Sequence, residues 1–249
     1  MSFGFKRWRE RHILARHPIA DADWHQALAH CGPAGRLGKA ERERLREIAA
    51  LLLHRKNLEP VQGLELGNAD RARVAIHASL PILHLGLGWY DDWQSILVYP
   101  DLFIPQRGKM DEAGVVHHAR DILAGEAWMQ GPVILAWSDV LQAGTPPGHN
   151  VVIHEMAHTL DMRNGQANGY PPLPRGMNAH AWTEAFTTAW NRLQSRFEAG
   201  EPLPIDNYAL ENPGEFFAVT SEVFFEQPQL LAAELPALFR QLSRFYHGR

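Results

Sequence analysis

Residues 150–163 read Asn150-Val151-Val152-Ile153-His154-Glu155-Met156-Ala157-His158-Thr159-Leu160-Asp161-Met162-Arg163, an H-E-x-x-H box in an apolar run that Asn164-Gly165 brings to a stop. Residues four apart share one face of a helix, so the imidazoles of His154 and His158 can converge on a single ion with Glu155 at its edge. Val151, Val152, Ala157 and Leu160 give the same helix an apolar side. The pattern predicts a helix and, on it, metal-activated water attacking a peptide carbonyl.

A catalytic zinc takes three protein ligands and keeps a fourth position for water. The extended three-histidine pattern fails here, because Asp161 fills its glycine slot and Asn164 its last histidine slot. Cys31 is the only cysteine, so thiolate clusters and internal disulfides are excluded. The third ligand is then expected to be a carboxylate on a later helix. Tyr208-Ala209-Leu210-Glu211-Asn212-Pro213-Gly214-Glu215-Phe216-Phe217, continuing to Glu222, is the candidate region. Asn212 reads as an N-cap with proline at the first helical position, which puts Glu215 in the first turn and Glu222 two turns later on the same face. Either can ligate. A carboxylate beside Phe216-Phe217 is costly unless it meets a cation. Asp161, on the ligand face of the motif helix, is suited to accept the second N–H of an imidazole. Fourteen histidines are more than one site needs, and the adjacent pair His117-His118 reads as surface or core packing.

Outward from the motif, strand signals precede it and helical periodicity follows it. Residues 1–17 read as a basic arm or short amphipathic helix. Asp21 or Asp23 is placed to cap a helix over Trp24, Ala27 and Leu28, and a further helix is expected over 39–54. Strands are expected at 61–66, 95–99, 115–123 and 131–137, with a buried helix over 70–85. The strand at 131–137 opens at Pro132, which cannot donate to a ladder and so suits an edge. Helices are expected over 180–199, 212–226 and 228–246, and the Gly/Asn/Pro-rich segment 164–178 is a candidate lid. No repeat or linker divides the chain, so 1–249 reads as one domain with 1–20 as a basic N-terminal arm.

Composition fits a globular protein, with 45% hydrophobic and 21% charged residues, and gives no reason to expect disorder. A net charge of -4 gives no global attraction to nucleic acid, although Lys6, Arg7, Arg9, Arg11 and Arg16 make the start locally basic. No segment reaches the length of a signal-peptide core or a membrane span, which predicts a cytoplasmic protein with neither membrane nor direct nucleic-acid contacts.

The stretches Gly125-Glu126-Ala127-Trp128, Gly131 to Trp137, Gly148 to His158 and Asn164 to Gly169 resemble the Mlc titration factor family of bacterial zinc peptidases over nearly the whole chain. The resemblance implies a cytosolic zinc metallopeptidase with a catalytic core similar to that of anthrax lethal factor. It favours Glu215 over Glu222 as the third Zn2+ ligand, since Tyr208 and Glu215 stand seven apart with Phe216-Phe217 following. It also implies that Tyr208 donates to the oxyanion, and that a glucose-responsive transcriptional repressor (Mlc-like) is a partner. Pattern and resemblance together predict an α+β, predominantly helical zincin-like metallopeptidase with a small mixed β-sheet preceding the H-E-x-x-H helix.

The expected reaction is hydrolysis of a peptide or protein substrate, with an aminopeptidase mode open. Glu155 is the general base and Val133, Ile134, Leu135, Ala136 and Trp137 bind extended peptide by strand addition. Two rivals belong to other classes. One is a regulatory protein that sequesters a repressor, its zinc structural or its activity vestigial. The other is a metal-free interaction module, which would bind no zinc.

Overall fold

A computed structural model of the chain describes residues 3–101 and 131–248, and within them the strands precede the motif and helices follow it. Helices α1 (Phe3–Arg16), α2 (Asp21–Leu28), α3 (Gly32–Gly35) and α4 (Lys39–Arg55) lead into strand β1 (Asn57–Pro60). Helix α5 (Asn68–Ser79) connects β1 to β2 (Ser95–Tyr99), and β3 (Val133–Ala136) runs directly into α6 (Trp137–Leu141). The motif helix is α7 (Val151–Asp161), followed by α8 (Ala179–Glu198), α9 (Pro213–Glu226), α10 (Pro228–Glu234) and α11 (Pro236–His247).

The sheet has the order β1-β2-β3 with both pairings parallel, so the expected mixture of strand directions is not seen among the described residues. β3 lies at the edge of this described sheet, as its leading proline suggests. Parallel neighbours need a crossover, which for β1 and β2 contains α5.

Several boundaries differ from expectation for identifiable reasons. The strand expected at 61–66 lies instead at 57–60. Asn57 N–H bonds Gln94 O as soon as α4 ends, and Val61 N–H bonds Val98 O as the last rung. The chain then turns through Gln62 and Gly63 at φ 53° and 79°. The helix expected over 70–85 stops at Ser79, because Pro81 lacks an N–H and crowds the preceding turn. Trp137 belongs to α6 rather than to the strand before it. The expected 228–246 helix is two helices, broken at Leu235 (φ -131°, ψ 62°) because Pro236 disfavours helical geometry in the residue before it. The strand expected at 115–123, the His117-His118 pair and Gly125 to Trp128 lie outside the described residues.

One core runs beneath these elements. Val151, Val152, Ile153, Met156, Ala157 and Leu160 of α7 are all buried, because the helix packs against α5, β3 and α9. Aromatic residues fix the C-terminal helices around it. Trp182 stacks on Phe186 at 4.3 Å between centroids and meets Phe217 and Phe245, while Phe216 stands edge-on to Phe186 and Trp190. Two buried cationic or titratable groups tie the layers together. The Lys56 ammonium donates to the carbonyls of Tyr90 and Trp93 and sits 4.3 Å from the Trp93 ring centroid.

The other is His77 on α5, which is fully buried. Burial, reinforced by the Arg73 charge, lowers its pKa from 6.5 to about 4. As pH falls, the unfolded chain therefore takes up this proton before the folded one does. The stability His77 contributes is whole above about pH 6.5 and is lost progressively down to about pH 4, a span equivalent to about 3 kcal/mol. Denaturant unfolding at pH 7 and pH 4.5 is expected to show the wild type losing about 2–3 kcal/mol more than His77→Phe over that interval.

Candidate metal centre

Asn150 caps α7, its Oδ1 accepting the Ile153 N–H at 3.2 Å. From that start, His154 and His158 fall one turn apart with ring centroids 4.8 Å apart and Nε2 atoms 3.1 Å apart. Helix α9 is started in the same way. Asn212 Oδ1 accepts the Glu215 N–H at 3.0 Å, Pro213 opens the helix, and Glu215 stands in its first turn. Glu215 Oε2 reaches 3.0 Å from His154 Nε2 and 3.4 Å from His158 Nε2.

These three side chains form a group able to hold a metal ion. A tetrahedral ion bound at about 2.0–2.1 Å keeps its donors about 3.4 Å apart, and the observed separations of 3.0, 3.1 and 3.4 Å are of that size. Glu215 Oε2 is buried, yet it accepts no hydrogen bond of normal geometry. Three electron-pair donors facing one another in this way fit a bound cation. His154 is 3% exposed, whereas the side chains of His158 and Glu215 each retain 15%, so the cluster opens on their side.

The electrostatics agree with this crowding. Burial works to lower the His154 pKa, but Glu222, Glu215 and Glu155 together outweigh it and lift it to about 10. Burial likewise opposes ionisation of Glu215, and the two imidazoles overcome it, holding the carboxyl well below the usual carboxylate range.

Glu222 lies on the far side of His154. Its Oε1 is 2.7 Å from Nδ1, while its Oε2 accepts the Asn150 N–H and lies 3.3 Å from His149 Nδ1. The two carboxylates that the sequence put on one face thus meet opposite nitrogens of one imidazole. Glu155 is partly exposed beside the cluster, and its charge acts on His154. Tyr208, on a 3-10 turn spanning Asn207–Leu210, is partly buried with its ring centroid 6.2 Å from that of His154.

Asp161 is fully buried, but its hydrogen bonds go to the loop that follows the helix. Oδ2 accepts the N–H groups of Asn168 and Gly169 at 2.8 and 2.7 Å, and no hydrogen bond to an imidazole is present. Asp161 Oδ1 and His158 Nδ1 are both buried without a hydrogen-bond partner. Burial raises the Asp161 pKa to about 6, against the pull of those backbone donors and of His158. Val133, Leu135 and Ala136 are buried and Ile134 partly so, along the outer described strand. The sequence reading missed Asn150 and His77 as members of this neighbourhood. Asn150 Nδ2 donates to His77 Nδ1 at 2.8 Å and to Glu226 Oε1 at 2.6 Å. Asn150 enters the sequence reading only as the first residue of the motif stretch, and nothing local distinguishes His77 from the other histidines.

The profile of the glucose-regulated metallo-peptidase M90 family matches residues 5–247. Mlc titration factor A of Yersinia pestis (strain Pestoides F) is 38% identical over 237 residues, covering 93% of this chain and 87% of that protein. Mlc titration factor A of Yersinia pseudotuberculosis (serotype O:1b, strain IP 31758) matches with the same identity and coverage.

The loop held by Asp161 touches the first turn of α9, where Glu215 sits. Gly169 has φ 74°, and a Cβ there would lie 2.5 Å from Pro213 O; a Cβ on Gly214 would lie 3.1 Å from Ala167 Cβ. Gly169→Ala is therefore expected to destabilise the protein by at least about 1–3 kcal/mol, read as a lowered denaturant midpoint.

Proposed function

The chain belongs to the glucose-regulated metallo-peptidase M90 family and is a metallopeptidase; from that premise we propose that it is a zinc-dependent peptidase in which His154, His158 and Glu215 hold Zn2+. The observation that carries this reading is the meeting of three donor atoms, each 3.0–3.4 Å from the other two, with no hydrogen bond satisfying Glu215 Oε2. A nitrogen-and-carboxylate set with one open side is the donor chemistry of a catalytic zinc. When bound, such an ion supplies Lewis acidity and lowers the pKa of a water toward about 7.

The remaining work falls to side chains. Glu155, the general base, takes the proton of the attacking water on its carboxylate and later delivers it to the leaving amine. Tyr208 donates a hydrogen bond to the carbonyl oxygen as it gains charge. Residues 133–137 bind extended substrate, with β3 offering backbone groups to an added strand. Asp161 takes up His158 Nδ1 and fixes that imidazole; the two buried, unpartnered atoms on residues three apart support this role. The chain acts as one domain in the cytoplasm, on peptide or protein substrates, with aminopeptidase activity among its modes. No described helix is long and apolar enough to cross a membrane. The likeness to the two Mlc titration factors supports a second role, binding a transcriptional repressor of glucose uptake.

Glu155→Gln is expected to lower peptide hydrolysis by about 10²–10⁴-fold while elemental analysis still finds one zinc per chain. Normal turnover by that variant would sink the mechanism. For Tyr208→Phe, kcat should drop by about 10²–10³-fold with KM little changed, since the lost donor serves mainly the transition state. Chelation should abolish hydrolysis and added zinc restore it; activity that survives complete metal removal would overturn the zinc assignment.

A further inference from the structure

Resting on the reading of His154 as a metal ligand, we propose that Glu222 is a positioning residue for that imidazole, held in place by a buried hydrogen-bond chain that passes through Asn150 and ends on His77 of α5. All three side chains are out of solvent: Glu222 is 2% exposed, and Asn150 and His77 are 0% exposed.

The direction of donation can be followed atom by atom. An ionised carboxylate only accepts, so the 2.7 Å contact between Glu222 Oε1 and His154 Nδ1 places the imidazole proton on Nδ1. Nε2 is then the nitrogen left facing His158 and Glu215, the orientation a ligand needs. Without Glu222 nothing described at Nδ1 would select that tautomer or that ring angle.

Glu222 is itself gripped by the residue that starts the motif helix. Its Oε2 accepts the Asn150 N–H, one turn before His154. Asn150 has no polar atom to spare. Its Oδ1 accepts from Ile153 N, its backbone oxygen accepts from His154 N, and its amide nitrogen donates to His77 Nδ1 and Glu226 Oε1. His77 completes the chain by donating Nε2–H to His30 O at 3.3 Å, which leaves Nδ1 as the acceptor that Asn150 requires. Each proton in the series has one consistent place, so the ring angle of His154 is referred back to α5, 77 residues earlier in the chain.

The test uses the full-length protein stripped of metal, titrated with zinc against a chromophoric chelator. In Glu222→Gln one amide cannot accept from both His154 and Asn150, so zinc affinity is expected to fall by about 10- to 100-fold. The unfolding midpoint of the metal-free protein is measured alongside. A lowered midpoint with zinc affinity within twofold of wild type would mean a merely structural role and overturn the proposal. Glu222→Asp, which keeps the charge on a shorter arm, should recover part of the lost affinity; equal loss in both variants would count against it. Should Glu222→Gln fail to fold, the zinc-loaded wild type, labelled with ¹⁵N-histidine, supplies the reading. A slowly exchanging His154 Nδ1 proton supports the proposal, and a freely exchanging one overturns it. The inference can fail separately from the reading beneath it. Wild type that binds zinc with an equally tight Glu222→Gln removes only the inference, whereas wild type that binds no zinc removes both.

Discussion

Electron-pair donors that face one another in a nearly dry corner repel unless a cation or a proton is shared among them, and that demand is the constraint around which this half of the chain is arranged. His154, His158 and Glu215 come from two helices more than fifty residues apart, and their meeting costs free energy unless a metal ion or a proton sits between them. Packing has to hold them there. Helix α7 is gripped by apolar contacts on most of its circumference. Helix α9 is anchored by Phe216 and Phe217, which lie among Trp182, Phe186, Trp190 and Phe245. The aromatic cluster therefore serves the site as well as the core, because it opposes the separation that the donors would otherwise favour.

The loop after α7 adds a second restraint. Asp161 holds Asn168 and Gly169 by their N–H groups, and the backbone at Gly169 lies so close to Pro213 that no side chain fits between them. The turn that follows the helix of His154 and His158 is thereby pressed against the turn that begins the helix of Glu215. A segment whose composition suggested a lid is, over 167–169, a spacer between two helix ends.

What could be read in the chain was whatever depends on local geometry. The 3.6-residue period of α7 and the cap at Asn212-Pro213 concern a few neighbouring residues each, and the structure has both in place. What could not be read depends on distant partners. β1 is a strand because Ser95 to Val98 lie beside it, not because of its own alternation, so the better-alternating Val61–Leu66 misled. The same limit applied at the site. Glu215 and Glu222 share a helix face, and nothing in their spacing says which nitrogen of His154 each will meet. Resemblance favoured Glu215, and the fold places it beside both imidazoles with Glu222 behind one of them.

Along α7, only Glu155, His158 and Thr159 are more than marginally exposed to solvent. The helix has almost no surface that is not also chemistry. A substitution there either disturbs the core or alters the reacting groups, which leaves little neutral ground on which the sequence can drift. Changes in what this scaffold acts upon are thus easier to accommodate in its surroundings, in the loops beyond the helix ends, than in the helix itself.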